Sequence, residues 1–433
     1  MFSKIIRLSV LSGVFILIAG CGGSGGSTSG GGGGGGGNNN STTVTITIIG
    51  SPTAVATLVG SGTFTAATLS NGSLTLSLPS GTTNFGVAFV CPPVTVTAST
   101  TYQETNQNII EASTLDGTTF SWSCPASSSS GATGTLTGSV DTSAFSGASD
   151  VEILAQNGVS SSSGGPSGLS GSFSFAAPTG TDRVDVLAYE LDQTSYGLVY
   201  SLIAAKNYSG VTVPGVLNGG NTVVLGSADA VTLEPITYNN VPSGFNAPIT
   251  LVEYYFNSGG FLISNGVTSA YPAVPAAAME SGDSYYFSAY AYGPSGDVYV
   301  DTNSTSNGPI SFTFPPAWTY AGPTAAKWLS FDNNYTGFSG TTGVCDDVNM
   351  NWVTSPTVDH SVSFTVTGNY LNGSTTVAIP DLSGLSGFVA APASGTEVGW
   401  GASVSQGTTT CLPPHPLNST MKMVSTGGVY TVP

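Results

Sequence analysis

Positive charge is scarce in this sequence. Only six of its 433 residues are Lys or Arg, against 23 Asp and Glu, and the formal net charge is −17. Lys4 and Arg7 lie close to the N-terminus, so the rest of the chain has four basic residues: Arg183, Lys206, Lys327 and Lys422. A surface this acidic repels phosphate backbones and anionic lipid head groups. We therefore expect no nucleic-acid partner.

Histidine is scarcer still, since the chain has only His360 and His415. A nucleophilic hydrolase needs a base, usually histidine, beside its serine or cysteine, and zinc sites need clustered His and Cys. Asp346 and Asp347 are adjacent, so a strand would point them to opposite faces and they could not flank one glycosidic bond. The sequence therefore predicts a protein that is not an enzyme.

Long stretches of strong helix formers are also rare. The chain instead has short alternating runs of Thr, Val, Ser and Tyr, bounded by Gly, Pro and Asn. Hydrophobic residues make up 40% of the sequence, which is too many for a disordered chain. These runs predict an all-β fold, and the length allows several small modules.

Residues 1–20 have the order of an export signal. Lys4 and Arg7 precede a short apolar run that ends at Ile18, and small residues follow it. That order is typical of a secretory signal peptide, and the run is too short to span roughly 30 Å of hydrocarbon comfortably. Ile18-Ala19-Gly20-Cys21 resembles the lipobox of bacterial lipoproteins. The resemblance implies cleavage before Cys21 and diacylation of its thiol.

The segment 21–43 combines this cysteine with a tether. Residues 22–43 are Gly, Ser, Thr and Asn, including an unbroken run of glycine at 30–37, so no apolar side chain is available to bury. A phosphate-binding loop would need a preceding strand, a following helix and usually a lysine. Because residue 22 is Gly rather than Asp, the lipoprotein resemblance implies sorting to the outer membrane of a Gram-negative cell envelope.

Four cysteines remain for disulfides: Cys91, Cys124, Cys345 and Cys411. Four cysteines allow three pairings. Their separation along the chain favours Cys91–Cys124 and Cys345–Cys411, and an oxidising envelope favours bridging. CxxC spacing and nearby histidines, which would favour zinc, are missing.

A short sequence repeat occurs in the first half of the chain. The stretch 78–87, with Pro79 and Gly81, aligns with 177–186, with Pro178 and Gly180, and in both a turn opens an alternating strand. The order of turns and strands over 133–235 resembles the carboxypeptidase-regulatory-like, transthyretin-like β-sandwich, which implies a structural or binding module. The segment 44–126 resembles a diverged relative with an added disulfide.

The segment 236–316 resembles a different, Ig-like sandwich. Met279, Gly282 and Tyr285 precede an alternating strand, as at the E–F corner of fibronectin type III domains. The resemblance implies that the Tyr285 ring packs inward and its hydroxyl bonds the backbone. Met279 departs from the usual leucine. The remaining segment, 317–433, forms a C-terminal β domain that resembles no family we recognise.

Two sets of residues are candidate binding sites. Asp301, Asn303 and Thr305 place oxygen atoms at alternating positions, as a Ca²⁺ loop requires, although Asn-rich turns have the same pattern without metal. The remaining candidates are aromatic rings on which sugars could stack, although core packing explains most rings in sandwiches: Tyr286, Tyr290, Tyr292 and Trp318.

The expected function is therefore non-catalytic. We expect an envelope lipoprotein of stacked β-sandwich modules, held to the membrane by its lipid anchor, with a structural or interaction role toward an envelope protein or glycan. The alternative is a glycan-binding or glycan-active surface lipoprotein. No cofactor is expected apart from the Ca²⁺ candidate.

Overall fold

A computed structural model describes residues 41–97, 101–124, 132–157, 161–194, 197–256, 259–320, 322, 330–332, 334–355, 358–412 and 419–432. The predicted signal peptide, Cys21 and most of the tether lie outside these residues, as does His415. The regular secondary structure of the described chain is almost entirely β-strand, which confirms the all-β prediction. β-Branched and aromatic residues favour strands, in which successive side chains point to opposite faces of the sheet. β18 shows this pattern, because every second residue along it is buried.

The strands fall into four consecutive units. Unit 1 contains β1 Thr42–Ile49, β2 Ala54–Val59, β3 Thr65–Ala66, β4 Ser73–Leu78, β5 Asn84–Val90, β6 Val94–Thr97, β7 Thr101–Ser113 and β8 Thr119–Ser123. Unit 2 contains β9 Thr133–Asp141, β10 Asp150–Gln156, β11 Ser161–Gly164, β12 Gly171–Pro178, β13 Arg183–Thr194, β14 Gly197–Ser209, β15 Gly215–Val216 and β16 Val223–Val224. Short 3₁₀ turns lie between β15 and β16, at Leu217–Gly220, and after β16, at Ser227–Asp229.

Unit 3 contains β17 Thr232–Asn239, β18 Ile249–Phe256, β19 Gly259–Val267, β20 Ala270–Ala273, β21 Ser284–Gly293, β22 Gly296–Ser304 and β23 Ile310–Thr313, with a 3₁₀ turn at Ala276–Ala278. Unit 4 contains β24 Ser330–Asp332, β25 Val344–Ser355, β26 Val358–Thr367, α1 Gly368–Leu371, β27 Thr376–Ala378, β28 Glu397–Gly407 and β29 Thr420–Thr431. The expected boundary between residues 235 and 236 lies inside β17, whose partners β20 and β23 are both in unit 3.

Units 1 to 3 repeat one arrangement of strands. In each, the first strand is the centre of a small sheet, antiparallel to one neighbour and parallel to a late strand of the same unit. The three sheets are β4-β1-β8, β12-β9-β15 and β20-β17-β23. The sequence repeat near Gly81 and Gly180 is thus part of a structural repeat that includes unit 3.

Of the remaining strands, β16 also pairs with β9 in the small sheet of unit 2, and β24 pairs with β27. The other 17 join edge to edge in one large sheet. Its main path is β10-β13-β14-β19-β18-β21-β22-β29-β28-β25-β26-β7-β5-β2. The units therefore follow one another in space as 2, 3, 4 and 1. Unit 4 lies between units 3 and 1, and its β26 forms a parallel ladder with β7 of unit 1.

Three hydrophobic cores pack against this sheet. The largest includes Tyr254, Phe287 and Phe364 and joins residues from all four units. Two smaller cores lie under the small sheets of units 1 and 2. Cys345 and Cys411 of unit 4 belong to the unit 1 core, so the two units share buried surface as well as a strand ladder.

Both predicted disulfides are present, Cys91–Cys124 and Cys345–Cys411. The two predicted turns also match. Gly81 and Gly180 have φ of +82° and +76°, in the region that favours glycine, and each precedes a strand. Contrary to the expectation, burial does not alternate along these strands, since β5 is buried from Phe85 to Val90 and β13 from Arg183 to Tyr189. Both strands have a hydrophobic core on each face of the large sheet.

Tyr285 adopts the contact that the resemblance implied. Its ring is fully buried and its hydroxyl accepts a hydrogen bond from the Val274 backbone N–H at 2.9 Å. The same hydroxyl donates to Asn307 Oδ1, and Asn307 donates to the Val274 carbonyl at 3.0 Å. Tyr285 thus ties the start of β21 to the loop before it and to the loop between β22 and β23.

Candidate functional site

In unit 4 and at its borders with units 3 and 1, the face of the large sheet that points away from the largest core is rich in polar side chains, although Met423, Val353 and Val429 also lie on it. Along β25, Met350 and Trp352 are buried, whereas Asn349 and Asn351 are exposed. We call this surface the outer polar face. It is defined by Asn106, Asn108, Tyr290, Tyr292, Asp297, Tyr299, Asp347, Asn349, Asn351, Ser361, Ser363, Thr365, Gly399, Gly401, Ser403, Ser425 and Gly427.

Strand register arranges these residues in rows, because directly paired residues point to the same face. One row crosses six strands, and its members are Tyr292, Asp297, Ser425, Ser403, Asp347 and Thr365. The neighbouring row consists of Gly427, Gly401, Asn349, Ser363 and Asn108. Six strands at about 4.8 Å spacing give the face a width of roughly 24 Å.

Hydrogen bonds between neighbouring strands fix several side chains of the face. The Thr365 hydroxyl donates to Asp347 Oδ1 at 2.5 Å, and the Ser363 hydroxyl donates to Asn349 Oδ1. Desolvation raises the pKa of Asp347 to about 6, although the Thr365 hydrogen bond acts in the opposite direction. The Asn349 amide nitrogen keeps two N–H groups that can donate to a ligand.

A strip without side chains lies beside Asn349 and Asn351. It is formed by Gly399, Gly401 and Gly427, which are neighbours on β28 and β29. A Cβ atom at Gly401 would meet no other heavy atom closer than 4.0 Å, so the strip is open there. At Gly399 it would lie 2.3 Å from Asn351 Oδ1, so the Asn351 side chain leans across the strip.

Comparison with protein-family models, with curated proteins and with solved structures gave no match for this chain. No helix among the described residues is both long and apolar enough to cross a membrane.

Three of the four predicted stacking residues lie on the outer side of the sheet. Tyr290 and Tyr292 are half-buried, with ring centroids 5.2 Å apart, and Tyr299 joins them 6.1 Å from Tyr290. Tyr286 lies farther along the same side, half-buried beside Asp301. Desolvation raises the pKa of Tyr290 and Tyr292, so these phenols stay protonated at neutral pH.

The prediction for Trp318 is wrong. Its side chain is only 3% exposed and is part of the largest core, and its indole N–H donates to Asn334 Oδ1 at 2.8 Å. A sugar has no open ring face to stack on at this position. The hydrophobic area of an indole ring explains why the core takes it.

The Ca²⁺ interpretation is also wrong for this segment. Asp301 and Asn303 lie in β22 rather than in a loop, and Thr305 is exposed just after the strand ends. Asp301 is buried, and desolvation raises its pKa to about 6. Over the described ranges, no group of three His, Cys, Asp or Glu side chains could hold a metal ion.

His360 lies in an open cleft of about 540 Å³ whose walls include Thr105, Thr354 and residues 387–393. The Thr354 hydroxyl oxygen is 3.2 Å from His360 Nε2, which is the distance of a nucleophile and its base. However, His360 Nδ1 has no partner in the described part of the chain. Asp359 directly precedes His360 in β26 and points to the other face, so it does not complete a triad.

Arg183 is the centre of a buried ionic network that the sequence analysis missed. Its Nε lies 2.8 Å from Asp185 Oδ2, and its Nη1 lies 2.9 Å from Asp283 Oδ2. Tyr254 donates to Asp283 at 2.7 Å, and the guanidinium lies 4.5 Å from the Phe256 ring centroid. The network joins unit 2 to unit 3, and only its weaker partner Glu280, 3.8 Å from Arg183 Nη1, is exposed, which indicates a structural role.

Proposed function

We propose that this chain is a non-catalytic lipoprotein of the bacterial cell envelope that binds a partner through its outer polar face. The observation that carries the proposal is this face itself. It is a broad sheet surface of amides, hydroxyls and phenols with some apolar side chains, it lies opposite the main core, and Asn349 and Asn351 on it are exposed. Residues that only stabilise the fold usually bury apolar side chains in a core. Asn349 and Asn351 are polar and exposed, so they do not contribute to a core.

The anchoring part of the proposal rests on the sequence. The apolar run before Cys21 and the glycine-rich tether after it are what an acylated, exported protein needs. Stable anchoring needs more than one acyl chain, which a diacylated and further acylated cysteine provides. The proposed site of action is the outer membrane.

The non-catalytic part rests on the chemistry of the candidates. The Thr354–His360 pair has no carboxylate at Nδ1 to orient the imidazole, and desolvation lowers the pKa of His360. A neutral imidazole without an orienting partner is a poor general base for a threonine hydroxyl.

Metabolic labelling with a tagged fatty acid tests the anchor. The wild-type protein should incorporate the label and begin at Cys21, whereas Cys21→Ser should stay unlabelled and keep residues 1–20. An unlabelled wild-type protein with its leader intact would contradict the anchoring proposal.

A photo-reactive side chain tests the interaction. Placed at position 349 or 351 in living cells, it should form the same adduct from both positions, and Gly401→Gln should abolish that adduct. The control position is Ser174, an exposed strand residue of unit 2. If positions 349 and 351 give no adduct, the outer polar face is not an interaction surface.

A further inference from the structure

The predicted tether runs directly into β1, whose first residue is Thr42. β1 is the central strand of the small sheet of unit 1, with six residues paired to β4 and five paired to β8. Its Val44, Ile46 and Ile48 side chains are almost fully buried in the unit 1 core. Tension applied through the tether therefore acts first on a strand that is held along both edges and by its side chains.

β1 and β8 run parallel, so the chain enters this strand pair and leaves it at opposite ends. It enters at Thr42 and leaves at Cys124, directly after β8. The Cys124 N–H donates to the Ile49 carbonyl at 2.8 Å, and the disulfide to Cys91 joins this exit point to the end of β5 in the large sheet. A load between the entry and the exit therefore acts along the strands.

The direction of a load decides how paired strands separate. The hydrogen bonds of a ladder run between the strands rather than along them. A pull along the strands strains all of these bonds together, whereas a pull across the strands opens one pair at a time. Sliding of β1 is opposed further, because a shift by one residue would move its buried side chains to the other face of the sheet.

The load path continues to the outer polar face through strands of the large sheet. β5 pairs with β7 over seven residues, β7 pairs with β26 over nine, and β26 pairs with β25. Strand register places Val353 of β25 in one row with Glu104 of β7, two residues from the carbonyl that accepts the Cys91 N–H. Val353 therefore lies at the exit end of unit 1, opposite Thr42.

We propose that unit 1 is a tension-bearing joint between the lipid anchor and a partner held on the outer polar face, an inference that rests on the function proposed above. Tension between these two points loads both ladders of β1 along the strands. The Cys91–Cys124 disulfide passes this load from the small sheet to the large sheet. If the tether ran into an edge strand loaded from the side, the same tension would peel that strand away one pair at a time.

Single-molecule pulling on the same chain in two directions tests the proposal. The mature chain is exported without acylation, so that the Cys21 thiol is free, and is held by that thiol in both experiments. The second attachment point is the thiol of Val353→Cys or of Leu115→Cys, which change exposed residues. Leu115 lies just before β8, at the same end as Thr42, so this control pulls β1 across its ladders. Thermal unfolding confirms that both variants are folded.

The Val353→Cys chain should resist more strongly than the Leu115→Cys chain. We expect a force at first rupture that is at least about twofold higher, because the hydrogen bonds of its β1 ladders must break together. The first lengthening of the Val353→Cys chain should not exceed about 17 nm, which is the extended length of residues 42–91 at roughly 3.4 Å per residue. The disulfide at Cys91 holds the chain beyond that point.

Equal rupture forces in the two directions would overturn the inference. A longer first lengthening would overturn it as well, since the load would then bypass β1. If fatty-acid labelling and cross-linking in cells still succeed, the proposed function stands and only the tension-bearing role fails. If Cys21 incorporates no fatty acid, the proposed function fails, and the tension-bearing role fails with it, whatever the rupture forces.

Discussion

Arg183 Nη1 lies 2.9 Å from Asp283 Oδ2, although the two residues are 100 positions apart in the chain. Both side chains are almost fully buried, and Asp185 and Tyr254 complete the network around them. A buried ion pair adds little net stability over an apolar replacement, but the loss of one partner leaves an uncompensated charge. The junction of units 2 and 3 therefore depends on Arg183 keeping both carboxylates paired.

Replacement of Arg183 should destabilise the protein strongly. Arg183→Met leaves Asp185 and Asp283 buried without their cation, and we expect a loss of about 3–5 kcal/mol in the free energy of unfolding. Urea titration followed by circular dichroism measures it. Lys206→Met is the control, since its 3.3 Å bridge to Asp229 is partly exposed and should contribute about 1 kcal/mol or less. Equal losses for the two variants would contradict the structural role of Arg183.

The stability of the protein should fall as the pH rises from acid toward neutral. Burial raises the pKa of Glu111 from 4.5 to about 7, although its hydrogen bond with Tyr370 acts in the opposite direction. Between these values the folded state holds a proton that the unfolded state has released, so each pH unit costs the fold about 1.4 kcal/mol per group. Asp301 and Asp347, with pKa raised to about 6, act in the same direction at lower pH.

Glu111→Gln tests this dependence, because its side chain stays neutral. Urea unfolding at pH values from about 4.5 to 7 should show a shallower decline for Glu111→Gln than for the wild type. Glu190→Gln, a change at an exposed carboxylate, is the control. A wild-type stability that rises over this interval would contradict the assignment.

The Tyr285 hydroxyl should contribute more to the free energy of unfolding than the small surface area that it buries would suggest. Tyr285→Phe leaves the buried Val274 N–H without an acceptor, at an expected cost of about 1–3 kcal/mol. Tyr430→Phe is a matched control, because its buried hydroxyl has no partner within the described ranges, and its removal should be neutral or stabilising. If the two variants lose the same stability, the Tyr285 contact is not what holds the start of β21.

Local patterns in the sequence predicted much of this fold. The alternation Ser361, Val362, Ser363 and Phe364 indicated a strand with one apolar face, and the structure buries Val362 and Phe364. Turn chemistry at Gly81 and Gly180, the two disulfides and the inward ring of Tyr285 were likewise predictable. Each of these features depends on residues that are close in sequence or on a small number of cysteines.

The relations between the units were not predictable in this way. The β7–β26 ladder pairs Asn108 with Ser363, and nothing near either residue specifies a partner so far along the chain. The outer polar face was missed for the same reason, since Asn349 and Asn351 become part of a surface only when β28 and β26 flank β25. Trp318 was misplaced because burial of a ring depends on tertiary packing, which the local pattern does not contain.

The most direct test of this account asks whether β7 and β26 form one ladder, since the outer polar face crosses that junction. Asn108→Cys combined with Ser363→Cys places two thiols on adjacent strands about 5 Å apart, within reach of a disulfide. Asn108→Cys combined with Asn349→Cys places them two strands, or about 10 Å, apart. Mild oxidation and thiol counting should show a new disulfide in the first pair and free thiols in the second. Free thiols in both pairs, or a disulfide in the second pair, would contradict the continuous sheet.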